Sequence, residues 1–256
     1  AAVNGKAQSD SSFLLLKTIK GSYAGFNVDN LDNIYLLSTG NQLKKLNNNG
    51  DSAGIFNDVK RFGKVSSTDV TNPLKILLYY KNFGNLVVLD RFLNTRNTLN
   101  FRKQNIFFVN CIATSYDNNI WLFDEQDFKL KKIDDNGQLM QETTDFRMLF
   151  DSVPSPVQIT DYDNFVYLYD PEKGVYIFDY YGTFKNRLPF LHWANVAVSQ
   201  NKIYGFNNNK LYSYQINTLT LKEYPLPAFF TSPVEIKTLN GKIYLLKEDG
   251  LYIYKV

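Results

Sequence analysis

Val234-Glu-Ile-Lys-Thr, Lys242-Ile-Tyr-Leu-Leu and Leu251-Tyr-Ile-Tyr-Lys-Val are three short strand patterns at the C-terminal end of the 256-residue chain. β-Branched and aromatic side chains dominate them, as they do on a pleated, half-buried surface. A fourth pattern of the same kind, Phe13-Leu-Leu-Leu-Lys-Thr-Ile, stands at the other end with no strand before it to pair with. A four-stranded blade completed by strands from both ends closes a β-propeller into a ring, and closure removes the edge strands that invite aggregation. The chain is therefore expected to be all-β and closed by a strand over residues 13–19.

The interior divides into five further copies of this unit. Gly25-Phe-Asn-Val-Asp, Asn33-Ile-Tyr-Leu-Leu and Gln42-Leu-Lys-Lys-Leu-Asn lead through Asn47-Asn-Asn-Gly-Asp into Ser52-Ala-Gly-Ile-Phe. Asn-Gly between alternating hydrophobic runs is a strong hairpin signal, because both residues tolerate positive φ. The pattern returns as Asn110-Cys-Ile-Ala-Thr, Asn119-Ile-Trp-Leu-Phe and Phe128-Lys-Leu-Lys-Lys-Ile, and again from Val157 and from Asn195. The copy holding Val65-Ser-Ser-Thr-Asp and Leu74-Lys-Ile-Leu-Leu-Tyr-Tyr diverges most. Ile34, Ile76, Ile120, Val166, Ile203 and Ile243 mark the repeat at intervals of 37 to 46 residues. That period belongs to four-stranded blades. No segment sustains a 3.6-residue apolar period, which argues against helices. The expectation is one six-bladed β-propeller of four-stranded antiparallel blades over residues 13–256, preceded by an extension over 1–12.

Composition narrows the function classes. Hydrophobic residues make up 44% and aromatics 16%, ample for a large core. Lys plus Arg number 28 against 25 for Asp plus Glu, and this near balance gives no support for a nucleic-acid partner. No run of about 18 apolar residues is present, so no transmembrane helix is expected. Cys111 is the single cysteine, which excludes an internal disulfide and fits either the cytosol or a large exported domain. The start, Ala1-Ala-Val-Asn-Gly-Lys-Ala-Gln, reads as the tail of a secretory signal, the alternative being an ordinary polar terminus. The export reading places the protein in the periplasm or at the outer membrane.

The recurring Asp/Asn-Asn-x-(Ile/Val)-(Tyr/Trp)-Leu, followed by a Leu-x-x-(Leu/Ile) strand and a Gly turn, resembles NHL-type and related six-bladed propellers. The resemblance runs over nearly the whole chain from Phe13. With the signal-like start and the richness in Asn, Tyr and Phe, the sequence also resembles, more faintly, envelope propellers of type IX-secreting bacteria, including the plug subunit of that translocon. These residues shape blades, so the resemblance implies a fold and a setting rather than one activity.

The first strand of each propeller blade lines the central channel. Aligning the copies on Asp32, Asp117, Asp163, Gln200 and Asn240 places Asn27, Ile112, Gln158, Asn195 and Glu235 in one tier, joined by Ser67 and Asp69. Alternation puts Asp29, Thr114, Thr160, Ala197 and Lys237 in the next. The channel-mouth binding candidates are thus Asn27, Ser67, Asp69, Gln158, Asn195 and Glu235. Lactonase-like six-bladed propellers resemble this design, which implies Glu235, Asn195 and Asn27 as metal-ligand candidates. A hard cation usually takes more than one carboxylate, so no metal or other cofactor is expected. His192, the only histidine, lacks a neighbouring Ser, Cys or carboxylate pair and is a poor general base candidate. Cys111, within Val109-Asn-Cys-Ile-Ala, reads as a small buried hydrophobe. There is no Gly-x-Ser-x-Gly elbow and no phosphate-cradling Gly loop, and no catalytic residue is assigned.

Two surface stretches carry the residue types of interface hot spots. Arg91-Phe-Leu-Asn-Thr-Arg reads as a loop presenting Arg91, Phe92 and Arg96, and the run from Pro225 to Pro233 reads as presenting Phe229 and Phe230. The expected function is a non-catalytic binding or scaffold propeller of the bacterial cell envelope. It would be a monomer on its own, engaging a protein partner through one face and meeting the membrane only through that partner. The alternatives are a lactonase-like metal-dependent hydrolase at the channel and a carbohydrate- or peptide-binding propeller.

Overall fold

Ile34, Ile76, Ile120, Val166, Ile203 and Ile243, which mark the repeat, are each 4% exposed or less and lie in the second strand of their blades. The computed structural model describes residues 13–230 and 233–255, so the extension expected over 1–12 lies outside the described residues. Strand β1 (Leu14–Lys20) comes first. Blade 1 follows as β2 (Tyr23–Val28), β3 (Ile34–Ser38), β4 (Leu43–Leu46) and β5 (Ser52–Phe56). A single helical turn, α1 (Val59–Phe62), leads to blade 2: β6 (Ser67–Asn72), β7 (Lys75–Tyr80), β8 (Asn85–Leu89) and β9 (Thr95–Asn100). Blade 3 is β10 (Val109–Thr114), β11 (Ile120–Asp124), β12 (Lys129–Ile133) and β13 (Leu139–Glu142). Blade 4 is β14 (Gln158–Tyr162), β15 (Phe165–Asp170), β16 (Gly174–Asp179) and β17 (Phe184–Leu188). Blade 5 is β18 (Ala194–Ser199), β19 (Lys202–Asn207), β20 (Lys210–Gln215) and β21 (Thr220–Pro225). Blade 6 is β22 (Glu235–Leu239), β23 (Lys242–Lys247) and β24 (Gly250–Lys255), completed by β1.

Each blade is an antiparallel meander, and the six first strands follow one another around the ring. The expected closure is present: β1 pairs antiparallel with β24, Leu14 opposite Lys255 and Lys20 opposite Gly250. Apolar side chains fill the seams between blades rather than one central core. Phe26 and Leu36 of blade 1 pack with Tyr244, Leu246 and Ile253 of blade 6, and Phe123 of blade 3 with Phe178 of blade 4.

Of the helical turns that the sequence pattern does not reveal, one 3-10 turn (Lys81–Phe83) joins β7 to β8 within blade 2 and the others lie in the linkers. α1 buries Phe62, and three 3-10 turns bury Phe101, Phe146 and Phe230. In the remaining long linker, Phe190 is 8% exposed and stacks on Trp193. One phenylalanine per linker thus plugs the top of a seam, and a single turn suits this because it satisfies its own backbone locally while aiming one ring inward. Phe230, expected on the surface, is one of these plugs. Arg96, expected in a loop, lies on β9 at a bulge, between Thr95 opposite Leu89 and Asn97 opposite Val88.

The turns between the third and fourth strands of blades 2, 3 and 4 share one device. The side chains of Asp90, Asp134 and Asp179 each accept the N–H groups two and four residues ahead, at 2.8–3.0 Å. In blade 1, Asn47 accepts the N–H four residues ahead, that of Asp51. A short acceptor side chain holds a turn by bonding its own backbone.

Candidate functional site

The first strands enclose a channel of about 1040 Å³ that touches residues of all six blades. Their inward edges face no further strand, so unpaired N–H and C=O groups need other partners. The polar side chains of the channel supply them across the seams. Glu235 Oε2 accepts from Phe26 N at 3.1 Å, and Lys237 Nζ donates to Phe26 O at 2.6 Å and to Asn27 Oδ1 at 2.7 Å. Asn27 Nδ2 donates to Thr68 O at 3.2 Å, and Asp69 accepts from Thr114 N. Gln158 Nε2 donates to Val196 O at 2.5 Å. Each of these residues reaches the next blade around the ring.

Ser67, Asp69, Gln158, Asn195 and Glu235 line the channel together with Asn27, but not in one tier. Asn27 pairs with Tyr35, level with Asp69 opposite Leu77 and Lys237 opposite Tyr244. The position level with Glu235, opposite Leu246, is Gly25, opposite Leu37. The alignment on Asp32 therefore slips by two residues in blade 1, because the hairpin after β2, like that after β10, holds five residues where the other four hold two. Asp29, expected in the second tier, is instead 1% exposed and sits inside that hairpin, accepting from Leu31 N, Asn33 N and Tyr35 OH. Thr114 is likewise buried. In blade 3 a bulge between Val109 and Ile112 brings Asn110 to the channel, where it accepts from Lys81 Nζ at 2.5 Å and donates to Pro156 O at 2.8 Å. Sequence alternation alone does not reveal a bulge.

The chemistry of this ring is mild. Of the implied metal ligands, Glu235 has Oε1 at 2.9 Å from Lys237 Nζ and Oε2 on a backbone N–H, so a cation already occupies it. Among the described residues no group of three His, Cys, Asp or Glu side chains is arranged to hold a metal ion. His192 is exposed on the linker before β18, its Nδ1 at 3.4 Å from Glu172 Oε1. Cys111 is buried, with burial pushing its thiol well up, and its Sγ lies 3.2 Å from Pro156 O. A thiol held protonated in this way is a poor nucleophile.

The outer surface offers a different kind of site. Phe92 is 55% exposed, and the Arg91 guanidinium lies over its ring at 4.6 Å. This corner is braced from behind. Asp90 holds the backbone of Phe92 and Asn94, and Lys45 Nζ donates to Arg91 O at 3.0 Å. Gly54 backs onto the Phe92 carbonyl so closely that a Cβ there would lie 2.6 Å from its oxygen. The second predicted patch is reduced to Phe229, which is 41% exposed and packs on Phe230 and Tyr254.

No family model and no curated protein matches the chain. Solved structures do. A virginiamycin B lyase from Staphylococcus aureus has a TM-score of 0.64 at 13% identity, over 95% of this chain and 99% of that one. A protein from Bacteroides fragilis described as exported has a TM-score of 0.62 at 10% identity, over 98% and 96%. BamB from Moraxella catarrhalis has a TM-score of 0.52 at 11% identity, over 94% and 75%. The chain has the six-bladed propeller fold. At these identities the likeness is one of fold, and one fold hosts unrelated functions. No described helix is long and apolar enough to cross a membrane.

Proposed function

We propose that this chain is a non-catalytic binding propeller of the bacterial envelope, folded as one domain of NHL-like blades, that engages a protein partner through blade 2. The observation that carries the reading is the braced Arg91–Phe92 corner. An exposed aromatic and an Arg are the side chains that dominate interface energetics, and rigidity before binding lowers the entropy cost of using them. Of the channel candidates, by contrast, Asn27, Asp69, Gln158 and Glu235 are already bonded across the seams. The envelope setting is supported by the likeness to a protein described as exported.

The test is recovery of partners from native envelope fractions on tagged protein, read by mass spectrometry. Arg91→Ala with Phe92→Ala is expected to reduce recovery of the partner tenfold or more, equivalent to about 1.4 kcal/mol, with unchanged melting. Ser67→Ala with Asn195→Ala is expected to leave recovery intact. If the channel pair abolishes recovery and the surface pair is silent, the channel is the site.

A further inference from the structure

The net charge of +3 conceals an uneven distribution. Residues 58–105, which hold blade 2 and its flanking linkers, carry nine Lys and Arg against three Asp, while the other 208 residues carry nineteen against twenty-two Asp and Glu. Only Lys75 of the nine is buried, and it is ion-paired with Asp135. The other eight are exposed, and none forms an ion pair among the described residues. Lys60 and Arg61 lie on α1 with Lys64 just after it, Lys81, Arg102 and Lys103 lie within 3-10 turns, and Arg91 and Arg96 lie just before and on β9. The carboxylates give little relief. Asp69 and Asp90 accept backbone N–H groups, and Asp58 is half-buried. Unpaired like charges crowded on one sector raise a field that favours an anionic partner and speeds its encounter.

Two further features define that partner. Phe83, Phe107 and Phe108 stand with Lys81, Arg102 and Lys103 at the end of the blade where β8 begins and β9 ends, and Phe92 stands with Arg91 at its other end, each phenylalanine 46–62% exposed. Beside them, a cleft of about 530 Å³ between α1 and the outer strand of the blade is lined by Arg61 and Lys103 with the amides of Asn85, Asn97, Asn100 and Gln104. We infer that blade 2 docks an acidic protein segment that also presents apolar side chains, its carboxylates entering the cleft between Arg61 and Lys103. This rests on the protein-partner reading above and adds the chemistry of the partner. An acidic glycan would satisfy the cations but leave the phenylalanines uncovered. Single-stranded nucleic acid could stack its bases on them, so it forms the discriminating arm of the test.

The experiment titrates the full chain with a fluorescent synthetic peptide of alternating Glu and Leu blocks, read by anisotropy at roughly 50 and 200 mM salt. Binding is expected, weaker at the higher salt. Arg61→Glu with Lys103→Glu is expected to weaken it tenfold or more, and Arg61→Gln with Lys103→Gln to a smaller degree, both with unchanged melting. Equal affinity for wild type and variants, equal affinity for a Lys-Leu peptide, or tighter binding of oligothymidylate or heparin would overturn the inference. The two readings separate cleanly. If Arg91→Ala with Phe92→Ala loses the native partner while the charge variants change neither partner nor peptide binding, the acidic-segment inference fails alone. If the peptide depends on Arg61 and Lys103 but the Arg91–Phe92 pair loses no native partner, the Arg91–Phe92 corner fails as the contact instead.

Discussion

Asp90, Asp134 and Asp179 show how a repeated side chain shapes both turn and titration. Burial works to raise each carboxyl, but the hydrogen bonds outweigh this and hold all three below the ordinary carboxylate value, those of the turn at Asp90 and Asp134 and, at Asp179, the Lys185 ammonium ahead of the turn. A carboxyl whose folded value lies below its unfolded value of about 3.9 adds stability that is present above that pH and lost as pH falls through the folded value. The melting temperature is therefore expected to stay level from about pH 7 to pH 5 and to fall below about pH 4. Replacing all three by Asn, which keeps the accepting oxygen, should flatten that fall. A transition centred near pH 6 would refute this account. The buried and exposed members of the Phe229–Phe230 pair should separate just as clearly. Phe230→Ala, at 1% exposure, should cost about 3–5 kcal/mol in urea denaturation, whereas Phe229→Ala should cost under about 1 kcal/mol. Gly54→Ala tests the brace behind the proposed interface. Its methyl would press on the Phe92 carbonyl, so partner recovery should fall even though Gly54 is not among the residues proposed to touch the partner.

At the scale of elements, β1 does for blade 6 what a local fourth strand does elsewhere. Its side chains contribute less than the run of leucines suggests, because Leu14, Leu15 and Leu16 are exposed. The strand is held by backbone pairing to β24, by Phe13 against Phe230 at 5.2 Å, and by Ile19 in the seam with blade 1. Deleting residues 1–19 removes all three and bares the edge of β24, so melting should fall by roughly 10 °C or more, with aggregation. Deleting residues 1–11 should leave melting nearly unchanged, and equal melting of the two deletions would refute closure by β1. That closure was legible because a strand pattern is periodic and Phe13–Ile19 had no local partner. The linker turns were not. A single turn around Phe62 or Phe146 has no period to detect, and a phenylalanine between prolines reads equally as surface anchor or seam plug. The channel register failed for a related reason. Alternation locates a face, but the longer blade 1 hairpin and the Val109–Ile112 bulge each displace it without changing the pattern.

Over the whole molecule, the seam between the last blade and the first must hold without a covalent linker beyond the short step from β1 to β2. It carries a dense polar set. Asp32 accepts from Asn240 Nδ2, Lys242 Nζ and Tyr244 OH at 2.8–3.4 Å, while Glu235 and Lys237 bond the edge of β2. Burial acts to raise the Asp32 carboxyl, yet these donors, Lys242 foremost, keep it below its ordinary value. The same Glu235 is the residue on which a channel-metal reading depends, so one substitution tests both roles. If Glu235 is a stitch, Glu235→Gln weakens its bond to Phe26 N and removes its ion pair with Lys237, and stability should fall by about 1–3 kcal/mol in urea with an unchanged m-value. Calcium should then leave the melting temperature of wild type and variant alike unmoved. If Glu235 is a ligand, calcium should stabilise the wild type in proportion to its binding and lose that effect in the variant, because only a ligand bound to the native state shifts its melting. The 2.9 Å contact from Lys237 Nζ to Glu235 Oε1 argues for the first outcome, since a cation entering there would have to displace one already in place.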